Sequence, residues 1–267
     1  MNPEAPPNSA QDFVAQLAAR GRYHFTTQEA AETTGSSPAA VRAALRRLKR
    51  RGLVASPYRG FHVIVPPEYR RLGCLPPDQF VPQLMEHLGL AYYVALLSAA
   101  RYHGAAHQEP QVFQVMVQRN RPTLACGVVR VQFVARRNID LIPTAALNTP
   151  RGRMIVSTPE ATAFDLIGYP EHAGGLENVA TLLVELLEAA DPGRLTAAAA
   201  LSPAPWSQRL GYLLSLVGLT AYADALGHYV AHSAKETVLL DPRRDASDAP
   251  HDRRWKIIPN VNIGPDL

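Results

Sequence analysis

The sequence of 267 residues predicts an α+β fold, in which a small N-terminal unit of helices and a hairpin precedes a larger mixed part rich in helices. Three observations support this prediction. Capping residues and glycines divide the first 65 residues into short helices followed by a hairpin pattern. Val- and Phe-rich runs between residues 112 and 134 are typical of strands, and Leu- and Ala-rich stretches from residue 176 to 230 are typical of packed helices.

Turn and capping residues predict the elements of the first unit in order. A helix pattern begins at Ser9 and breaks at Gly21. Thr26 and Glu29 have the spacing of a capping box, in which each side chain satisfies a backbone amide at the start of a helix. This predicts a short helix over residues 27–34.

A longer third helix follows a glycine turn. Gly35 supplies the turn, Ser37 is the predicted N-cap and Pro38 takes the first helical position. The helix is predicted to run to about Arg51 and to stop at Gly52, where a glycine favours the end of a helix.

The pattern then changes to a hairpin, with a strand over 53–55, a turn over 56–60 and a strand over 61–65. Helix, helix, glycine turn, helix and hairpin is the order of a winged helix-turn-helix. The sequence therefore predicts such a domain over residues 1–75 and a second domain over residues 76–267.

The third predicted helix separates its apolar and cationic residues. At about 100° per residue, Val41, Ala44, Leu45 and Leu48 fall on one side. The opposite side carries Arg42, Arg46, Lys49 and Arg50, flanked by Arg47 and Arg51. No acid lies one turn away, and like charges at this spacing destabilise a helix by a few tenths of a kcal/mol per pair. A phosphate-bearing partner would offset that repulsion; the alternative is a solvated face whose last cations favour the helix dipole.

Positive charge is concentrated in the N-terminal half. Residues 1–75 carry eleven bases against five acids and residues 76–155 eight against four, whereas residues 156–267 carry eight against fourteen. This polarity is what a polyanion-binding face needs, and together with the glycine turn, the cationic helix and the hairpin it predicts duplex DNA as a partner. The residues expected to contact bases are Ser36, Ser37, Ala39, Arg42 and Arg46. Lys49, Arg50, Tyr58 and Arg59 are expected at the DNA backbone, and Arg47 completes the DNA-binding set.

Residues 66–79 hold four prolines and a glycine, a composition typical of an inter-domain linker. The second domain then mixes helices and strands. Helices are predicted over 80–88, 92–102, 176–190, 194–201, 206–217 and 221–230, with another beginning at Thr158-Pro159-Glu160. Strands are predicted over 112–117, 128–134 and 255–258.

Several classes of protein are not expected. Hydrophobic residues make up 47% of the chain, which excludes a wholly disordered protein, and no apolar run is long enough to span a membrane. No signal peptide is visible, so a cytoplasmic location is expected. Cys74 and Cys126 are the only cysteines, which excludes a disulfide framework and a cysteine-rich zinc site.

Two residue pairs that could indicate metal binding or acid/base catalysis also have simpler structural interpretations. His103 and His107 have H-x₃-H spacing, but Gly104 between them indicates that the helix is ending, which favours hydrogen bonding over metal binding. Glu160 and Asp165 are about 140° apart on a helix and do not converge as an acid/base pair.

Asp165, between Phe164 and Leu166, is expected to be a buried acid paired with an arginine. Gly211 and Gly218 suggest close helix packing or a break. Phosphate loops, dinucleotide fingerprints and nucleophile elbows are absent from the sequence, so no enzyme activity, cofactor or metal is expected.

Three longer segments resemble the AbiEi family of antitoxins, from abortive-infection, type IV toxin–antitoxin systems of bacteria. The first comprises YYVALLSAA at 92–100, HGAAHQ at 103–108 and PQVFQV at 110–115. The second comprises STPEATAFDL at 157–166, GGL at 174–176 and NVA at 178–180, and the third is QRLGYLL at 208–214.

The resemblance implies that the winged helix represses its own operon by binding inverted repeats in the promoter. It also implies that the C-terminal domain counteracts a nucleotidyltransferase-like toxin, functionally and without a stable complex. It assigns no antitoxin role to individual residues.

Two other functions remain open from the sequence. A small-molecule-responsive winged-helix regulator without a toxin partner would need an apolar pocket in the second domain. A nucleic-acid-processing enzyme would need two or three converging carboxylates, which the sequence does not show. No apolar heptad repeat is present, so a monomer is expected in solution. The family resemblance implies that the operator is an inverted repeat, which would bind two copies.

Overall fold

The computed structural model describes residues 7–105, 111–188, 190–246 and 249–264. Its N-terminal elements are α1 (Ala10–Ala19), β1 (His24–Thr26), α2 (Thr27–Thr34), α3 (Pro38–Arg50), β2 (Val54–Tyr58) and β3 (Phe61–Ile64). Its C-terminal elements are α4 (Val81–His87), β4 (Tyr92–Val94), α5 (Leu96–Tyr102), β5 (Phe113–Val117), β6 (Leu124–Cys126), β7 (Val129–Ala135), β8 (Thr144–Thr149), β9 (Gly152–Ser157), α6 (Pro159–Gly168), α7 (Leu176–Leu186), α8 (Pro192–Ala199), α9 (Ala204–Leu216), α10 (Thr220–Ser233), β10 (Val238–Leu239) and β11 (Ile257–Ile258).

The N-terminal elements form a winged helix. Ser9 caps α1, the predicted capping box of Thr26 and Glu29 is present, and Gly35 ends α2 in the left-handed conformation. Helices α1, α2 and α3 enclose an apolar core, closed on one side by a three-stranded antiparallel sheet in the order β1-β3-β2. The predicted α+β class and winged helix are confirmed.

Two details of this domain differ from the prediction. Strand β1 was not predicted, because three residues carry no periodicity and the strand depends on pairing with β3. The turn predicted over 56–60 is also shorter: β2 continues through an irregularity to Tyr58, so that only Arg59 and Gly60 form the tip.

The C-terminal part is built on a six-stranded mixed sheet in the order β6-β7-β5-β4-β9-β8. Helices α6 to α10 pack on one face, where Tyr93, Met116 and Val134 join their core. The prediction of a helix over 92–102 was wrong at its start. Residues 92–94 form the central strand β4, because a short apolar run fits a buried strand as well as a helix.

The predicted linker over 66–79 is packed rather than exposed. Cys74 and Leu75 are fully buried, and the segment contains two short 3₁₀ turns at Pro67–Tyr69 and Pro77–Gln79. Val128 N donates to Leu72 O at 2.9 Å, which attaches the segment to the turn between β6 and β7. The prolines therefore shape a buried connection, and the predicted domain boundary after residue 75 stays a prediction.

Strand β3 is buried on both faces and joins the two halves of the molecule. Ile64 faces the core of the winged helix, whereas Phe61, Val63 and Val65 face the second surface of the six-stranded sheet. There they meet Val115 and other residues of β5 and β7. The winged helix thus lies against one face of the large sheet, and helices α6 to α10 lie against the other.

Candidate nucleic-acid interface

Helix α3 shows one side to the protein core and the other to solvent. Val41, Leu45 and Leu48 are 1%, 3% and 4% exposed and pack among α1, α2 and the small sheet. The predicted cations on the other side are all exposed: Arg42, Arg46, Arg47, Lys49 and Arg50. The helix periodicity alone placed these side chains correctly.

None of these five cations takes part in an ion pair among the residues that the structure describes. Arg51, at the end of the helix, instead donates to the Gln11 side chain at 3.0 Å. A cluster of unneutralised cations on one helix face is a surface suited to binding a polyanion.

The N-terminal end of α3 presents small polar groups. Ser37 Oγ accepts from Ala40 N at 3.3 Å, so this hydroxyl caps the helix while its hydrogen stays free to donate. Ser36 Oγ donates to Thr34 O at 3.4 Å, and Ala39 is exposed on the first turn. In helix-turn-helix proteins this end of the recognition helix contacts base edges.

The wing tip lies beside the start of α2. Tyr58 is 41% exposed and Arg59 is exposed, while Gly60 O accepts from Thr27 N at 2.9 Å. Gly60 has φ of +80°, a conformation that favours glycine in the two-residue turn. The short wing therefore holds the two wing residues predicted to contact the DNA backbone at the surface, and its tip is hydrogen-bonded to the start of α2.

His62 fixes the hairpin from beneath. Its ring nitrogens hydrogen-bond to Thr27 Oγ1 at 2.8 Å and to Ser56 Oγ at 2.7 Å. Burial, with a smaller contribution from nearby Lys49, lowers the pKa of His62 to about 4. The ring is therefore neutral near pH 7 and acts as a structural bridge, a role that no local pattern in the sequence indicated.

Not every arginine of the basic segment 76–155 is available to a partner. The Arg151 guanidinium lies 3.4 Å from the centre of the Tyr23 ring, and its Nε donates to Gln79 at 2.6 Å. It holds the sheet against the winged helix, and Arg136 is buried. Five of the eight arginines remain exposed, so most of the positive charge of this segment still faces solvent: Arg101, Arg119, Arg130, Arg137 and Arg153.

Arg136 forms the polar centre of the C-terminal domain. Its guanidinium donates to Asp165 Oδ1, to Tyr93 Oη at 3.2 Å and to Ser202 Oγ at 3.1 Å, and it lies 5.3 Å from the Trp206 ring. The cluster joins β4, α6, α9 and the segment after β7. The expectation that Asp165 is a buried acid paired with an arginine is confirmed. Burial raises the pKa of Asp165 to about 6, although Arg136 and Tyr93 act in the opposite direction.

The remaining candidate residues have structural contacts. His103 Nε2 hydrogen-bonds to Ser157 O at 2.6 Å, whereas His107 lies outside the described residues. Glu160 is buried and accepts from Asp191 N at 3.2 Å. A Cβ on Gly211 would lie 1.9 Å from the Trp255 ring, which confirms close packing there, and Gly218 has φ of +77° at the break after α9.

The fold and the cationic face of α3 define a winged-helix regulator. Residues 12–64 match the family described as transcriptional regulator, AbiEi antitoxin, and residues 93–216 match the AbiEi antitoxin C-terminal domain. The chain therefore belongs to the AbiEi family of antitoxins, and its two matched domains give it the role of an antitoxin and transcriptional regulator.

One solved structure supports the same fold over nearly the whole chain. The crystal structure of the RV2827C protein from Mycobacterium tuberculosis matches with a TM-score of 0.66 at 17% identity, covering 96% of this chain and 92% of that chain. No curated protein sequence matches the chain closely enough to count as a relative. None of the helices in the described ranges is long and apolar enough to cross a membrane.

Proposed function

We propose that this protein represses its own operon by binding inverted repeats in the promoter through α3, and that it counteracts a nucleotidyltransferase-like toxin. The observation that carries the DNA-binding part is the exposed cationic face of α3, which has no ion-pair partner among the described residues. Phosphates would supply the missing counter-charge and release condensed cations from the duplex.

Helix α3 would enter the major groove with its N-terminal half toward the bases. Arg42 and Arg46 lie one turn apart on the solvent side, where a guanidinium can donate two hydrogen bonds to guanine. Ser36, Ser37 and Ala39 would lie at the adjoining base edges. Lys49, Arg50, Tyr58 and Arg59, with Arg47 beside them, would contact the phosphates of the two flanking strands.

The direct test replaces Arg42 and Arg46 together by alanine and measures binding to the promoter repeat by gel shift. The matched control is the double alanine variant of Arg194 and Arg253, exposed arginines of the C-terminal part outside the proposed interface. Both variants lose two positive charges, but only the first should lose affinity, by at least tenfold. Equal binding by the two variants would disprove the assignment of α3.

Two copies would bind an inverted repeat, related by the dyad of the DNA. We expect light scattering to show a monomer in free solution, because the described helices pack their apolar faces against other elements of the same chain. Binding to the full repeat should depend more steeply on salt than binding to a half-site, since more phosphates are neutralised. A stable dimer at micromolar concentration without DNA would contradict this scheme.

The antitoxin part is tested in cells that carry the toxin gene. Cutting the chain near Cys74 would expose Leu75 and Phe80, which are fully buried. Point variants therefore test better than fragments whether DNA binding and rescue from the toxin belong to different domains. The Arg42/Arg46 double alanine variant should still rescue growth when it is expressed from an unrelated promoter. If this variant lost rescue as well as DNA binding, the two functions would share one surface.

A second candidate, a small-molecule-responsive regulator without a toxin partner, is favoured by one observation. A cleft of about 670 Å³ opens beside Arg136 and is lined by Tyr169, Trp206 and Arg137. Its volume is in the range of small-molecule sites. A metabolite that changes Trp206 fluorescence and promoter affinity together, in cells without the toxin, would support this candidate.

A further inference from the structure

The two cysteines of the chain lie opposite each other where two segments pass in antiparallel directions. Leu72 O accepts from Val128 N at 2.9 Å. One residue further along each segment, the backbones of Gly73 and Gly127 touch: a Cβ on Gly127 would lie 2.9 Å from the Gly73 Cα. The next pair in this register is Cys74 and Cys126.

Both thiols belong to the apolar cluster between the winged helix and the large sheet. They are free thiols that interact with each other, and they differ in exposure, because Cys74 is fully buried and Cys126 is partly exposed. Cys126 also lies beside a backbone group of Ser56 in the wing. The pair therefore lies at the joint between the connecting segment, β6 and the winged helix.

The surroundings of the two thiols shift their pKa values in opposite directions. Interaction with the Cys74 thiol, helped by the positive charge of Lys49, lowers the pKa of Cys126. The same interaction, together with burial, raises the pKa of Cys74. A more acidic, partly exposed thiol beside a buried partner is the arrangement expected of an attacking and a resolving cysteine.

We propose that Cys74 and Cys126 form a reversible disulfide in the presence of hydrogen peroxide, and that this bond joins the connecting segment, just after the winged helix, covalently to β6 of the six-stranded sheet. The proposal rests on the fold and does not depend on the proposed function. Direct opposition of the two residues across neighbouring segments is compatible with the short Cα separation that a disulfide needs.

The reaction balances with peroxide as the two-electron oxidant. The Cys126 thiol first loses its proton, the thiolate attacks one peroxide oxygen, and the O–O bond breaks to give a sulfenic acid and hydroxide, which takes up the lost proton as the first water. The Cys74 sulfur then attacks the sulfenic sulfur, the S–O bond breaks, and the departing OH group takes the Cys74 proton as the second water. Two thiols become one disulfide, and one peroxide becomes two waters.

The direct measurement is mass spectrometry of the full-length protein after peroxide treatment. The intact mass should fall by two hydrogens, and a tryptic digest without reductant should contain peptide 72–101 linked to peptide 120–130. Dithiothreitol should reverse both changes. Peroxide-treated protein that keeps both thiols, or that carries Cys126 oxidised to sulfinic acid with Cys74 still free, would overturn the proposal.

A second measurement tests whether the bond restrains the fold. Closing the loop from residue 74 to residue 126 restricts the unfolded chain, so the melting temperature of the wild type should rise by a few degrees on oxidation and fall back with dithiothreitol. Cys126→Ser is the matched control, because it leaves only the buried Cys74 and should show no such change. A rise of equal size in Cys126→Ser would contradict the proposed bond.

Discussion

The winged helix exposes its arginines, whereas the C-terminal domain buries its central one. The five cations of α3 lie in solvent without ion pairs among the described residues, but Arg136 is 5% exposed and bonded to Asp165, Tyr93 and Ser202. A solvated cation keeps its hydration and remains available to a partner. A buried cation has lost its water and depends on its protein contacts. The same residue type therefore serves binding in one region and internal organisation in the other.

Removing the partner of Arg136 should give the largest effect on stability. Asp165→Ala leaves a buried guanidinium with only two neutral hydroxyl partners, and we expect the free energy of unfolding to fall by about 3–5 kcal/mol. Urea denaturation measures this loss. Asp224→Ala is the control, because the Asp224–Arg254 pair is exposed and its removal should cost no more than about 1 kcal/mol. Similar losses in both variants would show that water reaches Arg136.

The winged helix has its own buried polar group, and its response to pH provides the second test. The pKa of His62 is lowered from 6.5 to about 4. Below pH 6.5 the unfolded chain binds a proton that the folded chain excludes, so stability is lost as pH falls toward 4. The full loss is about 3 kcal/mol from this side chain.

The difference between wild type and His62→Gln isolates this contribution. Asp165 acts with the opposite sign, because its pKa is raised to about 6, and its influence cancels in the difference. The stability of wild type relative to the variant should decline between pH 6.5 and 4 in urea denaturation. A constant difference across that window would mean that the folded protein protonates His62 normally.

The C-terminal core should be less tolerant of added volume than the surface of the same helical layer. A Cβ on Gly211 would meet the Trp255 ring at 1.9 Å, so Gly211→Ala should destabilise by about 1–3 kcal/mol. In Gly227→Ala the Cβ would meet only the end of the Arg254 side chain at 3.1 Å. That variant should gain up to about 1 kcal/mol from helix propensity. Thermal unfolding of the pair checks the contrast.

Local signals explain why the winged helix was the more predictable region. The caps at Ser9, Thr26 and Ser37 act within four residues, and they fixed the starts of α1, α2 and α3. The cationic face of α3 follows from helix periodicity alone. The predicted DNA-contacting residues are all in solvent or at the helix start, and their contact with DNA stays a prediction.

The C-terminal region depends on partners far away in the chain. β8 contains Ala145, Ala146 and Asn148, which have low strand propensity, and it forms through its register with β9. Sequence indicated that Asp165 needs an arginine, but several were available and only the tertiary fold selects Arg136. The burial of residues 66–79 could not be predicted either, because it depends on contacts with the distant sheet. From the sequence alone, the prolines of this segment resemble those of an exposed linker.

Arg50→Ala is expected to have the smallest effect on stability. This variant separates the contribution of an exposed arginine to DNA binding from its contribution to the free energy of unfolding. Arg50→Ala removes a charge near the end of α3 that has no ion-pair partner among the described residues, so the free energy of unfolding should change by less than about 0.5 kcal/mol. If Arg50 contacts a phosphate, affinity should fall alike for all DNA sequences, and the slope of log affinity against log salt should flatten by about one unit. Arg42→Ala should instead weaken the promoter repeat by about 1–3 kcal/mol and relax its specificity, as expected for a base contact. Titrations of both variants at several salt concentrations, against the promoter repeat and an unrelated duplex, distinguish the two roles. A specificity change in Arg50→Ala, or an unchanged salt slope, would move Arg50 out of the backbone-contacting set.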